Sequence, residues 1–254
     1  MERVNRESAV EAPKWTFRLD AARDLSWKPQ PLLRWSNPNV GRVFGNVYLW
    51  TDRGCPAVIG SMYRWYTPYQ AFNIELKCLG RGKLVGQYGG ETAWRPKTED
   101  VEYRLCTGAA TPGETPTERL RQLRALASEF EGQLLDTRVK KIDGIPQQLR
   151  RLTQPIYRYD SQNPEIIDGA VFAFVHGTDP ELILLLEARQ DNTGTYWHYA
   201  LARMNGDAIQ AKRGGREIWS VPAIKVFNEP ESAYVVLDRA ALPKLDARPM
   251  PAQP

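Results

Sequence analysis

Histidine and cysteine are scarce in this 254-residue chain, which holds two histidines and three cysteines. Two imidazoles leave few groups for acid and base chemistry near neutral pH. Cys55, Cys78 and Cys106 are separated by 23 and 28 positions, which matches neither a zinc site nor a dense disulfide framework. We therefore expect no metal, and three reduced thiols packed as small hydrophobic side chains. One disulfide with one remaining thiol is the alternative.

Long apolar runs are also missing. The longest, Ala170–Val175 and Leu182–Leu186, fall far short of the roughly 20 residues that cross a bilayer. The sequence therefore excludes a membrane-spanning helix. The first eight residues are polar and charged, without the apolar stretch of a secretory signal. We expect either a cytoplasmic protein or an extracytoplasmic one whose signal has been removed.

Neither the charge nor the motifs indicate a known chemistry. The 34 basic and 30 acidic side chains give a net charge of +4, and the basic ones are spread along the chain. A nucleic-acid-binding protein usually concentrates such charge in one stripe, so no nucleic-acid partner is predicted. The motifs G-x-S-x-G, H-E-x-x-H and paired C-x-x-C are all absent. Hydrolases and zinc proteases lose their usual support, and nothing predicts a cofactor.

Part of the sequence repeats itself 124 positions later. The string QPLLRW from Gln30 aligns with QPIYRY from Gln154, and the register continues without a gap. The residues with an identical counterpart are Gln30, Pro31, Arg34, Asn39, Gly45, Val47, Pro56 and Ile59. After a one-residue insertion, Trp94 aligns with Trp219. This pattern predicts an internal duplication, and it is too long a period for a solenoid repeat.

The duplication predicts the domain organisation. We expect an N-terminal segment at 1–29, a first β-repeat at 30–96, a connector at 97–153 with a helix at about 116–135, a second β-repeat at 154–222, and a C-terminal strand and mobile tail at 223–254. The helix has an apolar stripe and the central strands need cover on both faces. One compact unit is therefore favoured over two independent domains.

The connector carries a helix signal. Thr115-Pro116-Thr117-Glu118 combines an N-cap threonine, a proline at the first helical position and a glutamate that completes a capping box. The apolar residues that follow at spacings of three and four are Leu120, Leu123, Ala127, Phe130 and Leu134. Such a stripe is typical of a helix that packs on a sheet.

Each copy reads as an antiparallel meander. Short β-rich stretches are separated by turns, which we expect at Gly80-Arg81, Gly89-Gly90, Gly177–Pro180, Asp191–Gly194, Asn205-Gly206 and Gly214-Gly215. The first of these, Gly80–Lys83, superficially resembles a phosphate loop. Its lysine is followed by Leu84 rather than Ser or Thr, so we interpret it as a hairpin.

Two runs in the second copy predict central strands. Val171–Val175 and Leu182–Leu186 are apolar at every position, which a strand tolerates only when both of its faces are covered. Together with the connector helix they predict an α+β fold that is mainly antiparallel sheet.

The candidate catalytic residues are few. His176 precedes a predicted turn and Asp179 lies within it, so the pair is a candidate base with an orienting carboxylate. A polar turn residue is the simpler interpretation of His176, and His198 is interpreted as structural. Carboxylates for glycoside hydrolysis need only meet in space. Glu75, Glu91, Glu187 and Glu217 lie on predicted strands or strand ends, where surface or paired roles are the default.

The most unusual segment is aromatic. Met62–Phe72 contains five aromatic side chains in eleven residues around Pro68. Flat rings on a loop can stack on sugars or anchor a protein partner, whereas rings in β-proteins usually fill the core. Trp65, Tyr66 and Tyr69 are the candidate ligand-binding residues, with a protein or carbohydrate as the partner.

Several stretches resemble one uncharacterised bacterial family found mainly in planctomycetes. They are residues 168–181, with the sequence DGAVFAFVHGTDPE, residues 197–204 and 216–222, and the first-copy stretches 34–38 and 47–51. The resemblance covers nearly the whole chain except both ends. It implies a single conserved architecture and export signals in many relatives. It implies no activity and no catalytic residues.

The favoured function is a non-catalytic binding or scaffolding protein. One alternative is a hydrolase that uses carboxylates or the pair His176 and Asp179. The other is a carrier of lipid or another apolar ligand, which requires a closed apolar cavity of at least a few hundred Å³.

Overall fold

The fold is that of a computed structural model, which describes residues 1–99, 101–135, 146–159 and 162–243. The helices are α1 (Glu2–Glu11) and α2 (Pro116–Ser128), with short 3-10 helices at Ala12–Lys14 and Arg239–Ala241. The strands are β1 (Trp15–Leu19), β2 (Arg23–Asp24), β3 (Ser26–Ser36), β4 (Arg42–Asp52), β5 (Cys55–Thr67), β6 (Phe72–Cys78), β7 (Leu84–Tyr88), β8 (Glu91–Trp94), β9 (Arg104–Leu105), β10 (Phe130–Leu134), β11 (Gln147–Arg151), β12 (Tyr157–Tyr159), β13 (Ile166–His176), β14 (Asp179–Asp191), β15 (Gly194–Arg203), β16 (Ile209–Arg213), β17 (Arg216–Val221) and β18 (Tyr234–Asp238).

The strands form three sheets. One has four strands in the order β2-β1-β7-β8, and another has five in the order β18-β6-β5-β4-β3. The largest runs β17-β16-β10-β11-β13-β14-β15-β9, with β12 as a further partner of β13. All paired strands are antiparallel, which confirms the predicted α+β class. In the described ranges, neither helix is long and apolar enough to span a bilayer.

The core has three main layers. The first lies between α1, the four-stranded sheet and one face of the five-stranded sheet. Another lies between α2 and one face of the largest sheet. The middle layer joins the remaining faces of the two large sheets, where Val47 and Ile59 belong to the same cluster as Val171 and Ile183. Strands β13 and β14 are therefore covered on both faces, which confirms the prediction from their continuous apolar runs.

Helix α2 begins as predicted and ends earlier. Thr115 accepts from the Glu118 N–H while the Glu118 side chain accepts from the Thr115 N–H, so the capping box is confirmed. The expected end at 135 is wrong, because the helix stops at Ser128 and Phe130–Leu134 forms β10. Phe130 and Leu134 are four residues apart, a spacing that fits both a helical stripe and one face of a strand. Pairing with β11 and β16 decides for the strand.

Four of the six predicted turns are hairpins, since Gly177–Pro180 joins β13 to β14 and Asp191–Gly194 joins β14 to β15. Gly89-Gly90 and Gly214-Gly215 have positive φ at all four residues and close the hairpins β7–β8 and β16–β17. The hairpin expected at Gly80–Lys83 is wrong, since this segment connects β6 and β7, which lie in different sheets. Asn205-Gly206 likewise connects β15 to a strand with which it does not pair.

The strand pattern recurs along the chain. Strands β4 and β5 begin and end 124 positions before β13 and β14. Helix α1 contacts the first pair and α2 the second. A Cβ placed on Gly45 would lie 2.4 Å from the ring of Trp35, and one on Gly169 would lie 2.3 Å from the ring of Tyr159. An aromatic ring ten residues earlier, Trp35 in one half and Tyr159 in the other, therefore covers the corresponding glycine. The internal duplication itself stays a prediction.

The ends of the chain bear on two further expectations. The C-terminal strand expected after 222 corresponds to β18, which pairs with β6. The tail expected to be mobile lies mostly at 244–254, outside the described residues. The N-terminal segment contributes α1, whose Ser8 is buried against Asn46 and Tyr48 of β4.

Candidate functional site

A cleft of about 240 Å³ opens where the two large sheets meet, and we call it the inter-sheet cleft. Its walls come from the β4–β5 turn with Arg53 and Cys55, from Arg81 in the β6–β7 connection, from Tyr103 before β9, and from Arg189 near the end of β14. The tight turn at the first wall is set by positive φ at Arg53 and Gly54. The cleft therefore combines segments that are far apart in the sequence.

Glu187 organises the floor of the cleft. Its side chain is 1% exposed. Its Oε1 accepts from the hydroxyls of Tyr103 at 2.9 Å and Tyr159 at 2.5 Å, and its Oε2 accepts from Arg189 Nε at 2.7 Å. A buried carboxylate is stabilised only when it is paired and hydrogen-bonded, and Glu187 meets both conditions. The floor is therefore a satisfied network that holds Tyr103 and Arg189 in place.

Tyr103 is flanked by two guanidinium groups. The central carbon of Arg189 lies 3.9 Å from the centroid of its ring, and that of Arg81 lies 5.5 Å away. Both distances are within cation–π range. Burial first, and then the charge of Glu187, raises the pKa of Tyr103 well above its usual value. Tyr103 is therefore a neutral hydrogen-bond donor at physiological pH.

The four arginines of the cleft differ in their pairing. Arg189 is paired with Glu187, and Arg23 lies 2.8 Å from Asp52. Arg53 and Arg81 are exposed, and neither forms an ion pair with a carboxylate of the described residues. The cleft therefore presents two positive charges that have no carboxylate partner among the described residues.

A second, more open cavity of about 510 Å³ adjoins the inter-sheet cleft, and we call it the outer cavity. It shares Glu165 and Arg189 with the cleft and adds Asp191 and His198. Burial is the main cause that lowers the pKa of His198. With His198 neutral and Arg189 paired, the outer cavity is dominated by the two carboxylates.

The proposed pair His176 and Asp179 is brought together only in part. The two residues face each other in the register of β13 and β14. No hydrogen bond joins their side chains, which both belong to the described residues. Burial lowers the pKa of His176. Burial, together with the charges of Glu181 and Glu75, raises the pKa of Asp179 well above its usual value. The electrostatic environment of Asp179 is therefore set by these two carboxyls and not by His176.

That environment is an acidic cluster between the two large sheets, in which Glu75 and Glu181 are buried and Asp179 is half-buried. The Tyr234 hydroxyl donates to Glu75, and the Asn205 amide donates to Glu181. Burial is the main cause that raises the pKa of Glu181 to about 8. Sequence reasoning found Glu75 and Asp179 separately. A charged residue inside an otherwise apolar strand is the signal that could have placed Glu181 beside them.

The other candidate carboxylates behave differently. Glu91 and Glu217 are exposed, as their default role requires. Glu187 is buried and paired, and it is the one candidate carboxylate that lines the inter-sheet cleft. Tyr103, Arg81 and Arg189 were missed by the sequence reasoning. The signal for Arg189 is its position two residues after Glu187, which puts both side chains on one face of β14.

The aromatic segment lies at the other end of β5 from the inter-sheet cleft. The Trp65 and Tyr69 rings meet edge to face with centroids 5.3 Å apart, and Tyr69 is 61% exposed. Tyr66 is half-buried beneath Arg42, whose guanidinium carbon lies 5.1 Å from its ring. Met62 and Phe72 are buried, so the two ends of the segment belong to the core.

The structure shows the state of the three cysteines and the arrangement of side chains that could bind a metal. All three cysteines are thiols, with Cys78 and Cys106 buried and Cys55 partly exposed in the inter-sheet cleft. Within the part of the chain that the structure describes, no group of histidine, cysteine and carboxylate side chains has the arrangement of a metal site.

Comparison with protein families, with curated proteins and with solved structures found no significant match. The resemblance to a planctomycete family therefore stays a prediction. The function has to be argued from the geometry and charge of the sites themselves.

Proposed function

We propose that the protein is a non-catalytic binding protein and that a small anionic molecule occupies its inter-sheet cleft. The observation that carries this proposal is the pair Arg53 and Arg81, which line the cleft without a carboxylate partner among the described residues. A guanidinium group presents several fixed N–H donors and matches a carboxylate or phosphate in geometry as well as charge. An anion bound here would complete the pairing of both arginines.

The rest of the cleft favours binding over catalysis. Glu187 accepts from two tyrosines and one arginine, so its oxygens are engaged rather than offered to a substrate as a base. Tyr103 is held neutral by its raised pKa and therefore does not supply a phenolate. The Glu187 network holds Tyr103 and Arg189 in place, which lowers the entropic cost of binding a ligand that contacts them.

The test is calorimetric titration with inorganic phosphate and with pentanoate at low ionic strength. We expect both anions to bind the native protein weakly, and the double variant Arg53→Ala/Arg81→Ala to lose at least tenfold in affinity. Both side chains are exposed, so the variant should keep its thermal unfolding midpoint within a few degrees.

The matched control is Arg216→Ala, which removes an exposed arginine at the β16–β17 hairpin. It changes the net charge of the protein without touching the cleft. The single variant Arg81→Ala removes the same amount of charge inside the cleft. If Arg216→Ala weakens binding as much as Arg81→Ala does, the anions interact with the overall charge of the protein and the proposal fails.

The aromatic segment is a second candidate contact surface, and the exposure of Tyr69 favours it. Trp65→Ala should lower the free energy of unfolding by about 2 kcal/mol, because that ring is partly buried against the core. Tyr69→Ala should leave it within about 0.5 kcal/mol. Chemical denaturation measures both, and capture of an oligosaccharide or protein partner that survives Tyr69→Ala would exclude this surface.

A further inference from the structure

The inter-sheet cleft and the outer cavity carry opposite charge. In the cleft, the pairs Arg189–Glu187 and Arg23–Asp52 cancel, which leaves the positive charges of Arg53 and Arg81. Glu165 stands at the boundary, because it lines both spaces. We call these two adjoining spaces together the groove, which is basic in the inter-sheet cleft and acidic in the outer cavity.

The acidic end consists of Glu165 and Asp191. Asp191 accepts from the backbone and hydroxyl of Thr193 and from the Gly194 N–H, and these hydrogen bonds lower its pKa. Its charge is therefore firmly established at neutral pH. Neither carboxylate forms an ion pair with a described cation, so the negative charge at this end is uncompensated.

We propose that the groove selects a zwitterion, a small molecule whose carboxylate or phosphate lies against Arg53 and Arg81 and whose amine lies against Glu165 and Asp191. This inference rests on the proposed binding function and adds the class of ligand. A dianion would bring its second charge towards the two carboxylates, and a simple monoanion would leave them without a partner. Complementary potentials thus give specificity as well as attraction.

Three five-carbon probes separate these classes, since they differ only in the group at the far end of the chain. They are 5-aminopentanoate, pentanoate and pentanedioate, each titrated into the native protein by calorimetry at low ionic strength. An exposed charge pair changes affinity by about two- to fivefold. We expect 5-aminopentanoate to bind at least threefold more tightly than pentanoate, and pentanedioate to bind no better than pentanoate.

The variant Glu165→Gln keeps the size of the side chain and removes its charge. It should reduce the preference for 5-aminopentanoate over pentanoate by at least half while leaving the affinity for pentanoate unchanged or slightly higher. Asp191→Asn should act in the same direction, because an amide oxygen can still accept the turn hydrogen bonds. The matched control is Glu91→Gln, an exposed carboxylate at the β7–β8 hairpin, which should leave the preference intact.

The outcomes distinguish this inference from the function on which it rests. If the affinities for all three probes are unchanged in Arg53→Ala/Arg81→Ala, the proposed function itself is overturned. Binding that requires those arginines, but shows no preference for 5-aminopentanoate or a preference that survives Glu165→Gln, would overturn only the zwitterion. A pentanedioate affinity above that of 5-aminopentanoate would assign the groove to dianions instead.

Discussion

Replacing Asp168 by alanine should lower the free energy of unfolding by about 3 to 5 kcal/mol, enough to unfold a marginally stable protein. Asp168 is 3% exposed and lies on β13. Its carboxylate accepts from Arg119 Nε at 2.9 Å and from Arg158 Nε at 3.0 Å. Without it, both arginines lose this carboxylate, and the Arg119 guanidinium, on a side chain only 10% exposed, is left in a largely buried position. The same contacts join α2 and β12 to the largest sheet, so the loss should also loosen the helix.

A surface ion pair provides the matched control for Asp168. Glu129 lies 2.8 Å from Arg213, and its side chain is 43% exposed. Glu129→Ala should cost no more than about 1 kcal/mol, since water and salt screen exposed pairs. Urea denaturation followed by circular dichroism measures both variants. An Asp168→Ala variant as stable as Glu129→Ala would mean that the arginines find other partners and that Asp168 does not fix the helix.

The fold was predictable where local signals agreed with the packing. The capping box at Thr115 and the continuous apolar run in β14 each specify one element with a physical reason that does not depend on distant residues. The end of α2 was not predictable in this way. Phe130 and Leu134 satisfy two periodicities at once, and the choice between them depends on strands β11 and β16, one of which lies about 80 residues away.

The inter-sheet cleft could not be predicted from local sequence patterns. Tyr103, Tyr159 and Glu187 come from three separate segments, and nothing in their neighbourhoods requires that they meet. They meet because β12, β13, β14, β15 and β9 lie side by side in the largest sheet, and that strand order is a property of the whole chain. The aromatic segment attracted attention through composition alone, and part of it proved to be core. The unusual composition therefore marked a region that is partly core, whereas the groove could be found only from the tertiary structure.

The acidic cluster gives the second large expected effect, on the pH dependence of stability. Burial raises the pKa of Glu181 to about 8, and the pKa of Glu75 and of Asp179 is raised in the same direction. A carboxyl whose pKa is higher in the folded than in the unfolded state binds its proton more tightly when folded. Its contribution is therefore full below the unfolded value near 4.5 and is lost as the pH rises towards 8.

Several polar groups around the acidic cluster act on this titration. They are Asp179 on the same strand as Glu181, Glu75 on β6, Tyr63 on β5, Tyr234 on β18, and Asn205 and Asp207 in the β15–β16 connection. Glu75, Asp179 and Glu181 carry the same sign when ionised, so ionising the cluster adds like charges between the two sheets. The titrations of Asp179 and Glu181 are coupled, so the observed pH transition is a property of the two carboxyls together.

Glu181→Gln should therefore flatten the stability profile between pH 5 and pH 9. One unit of pKa difference corresponds to about 1.4 kcal/mol, so the variant should exceed the native protein by at least about 2 kcal/mol at the alkaline end. At about 2 to 4 °C per kcal/mol, the unfolding midpoint at pH 9 should rise by roughly 5 °C. At pH 5 the two proteins should differ little, because the glutamine amide can replace the protonated carboxyl towards Asn205. Thermal unfolding across this range is the measurement, with Glu91→Gln as the exposed control. A Glu181→Gln profile parallel to that of the native protein would place the titrating groups elsewhere, since a charge buried between two sheets has to be neutralised before they can pack.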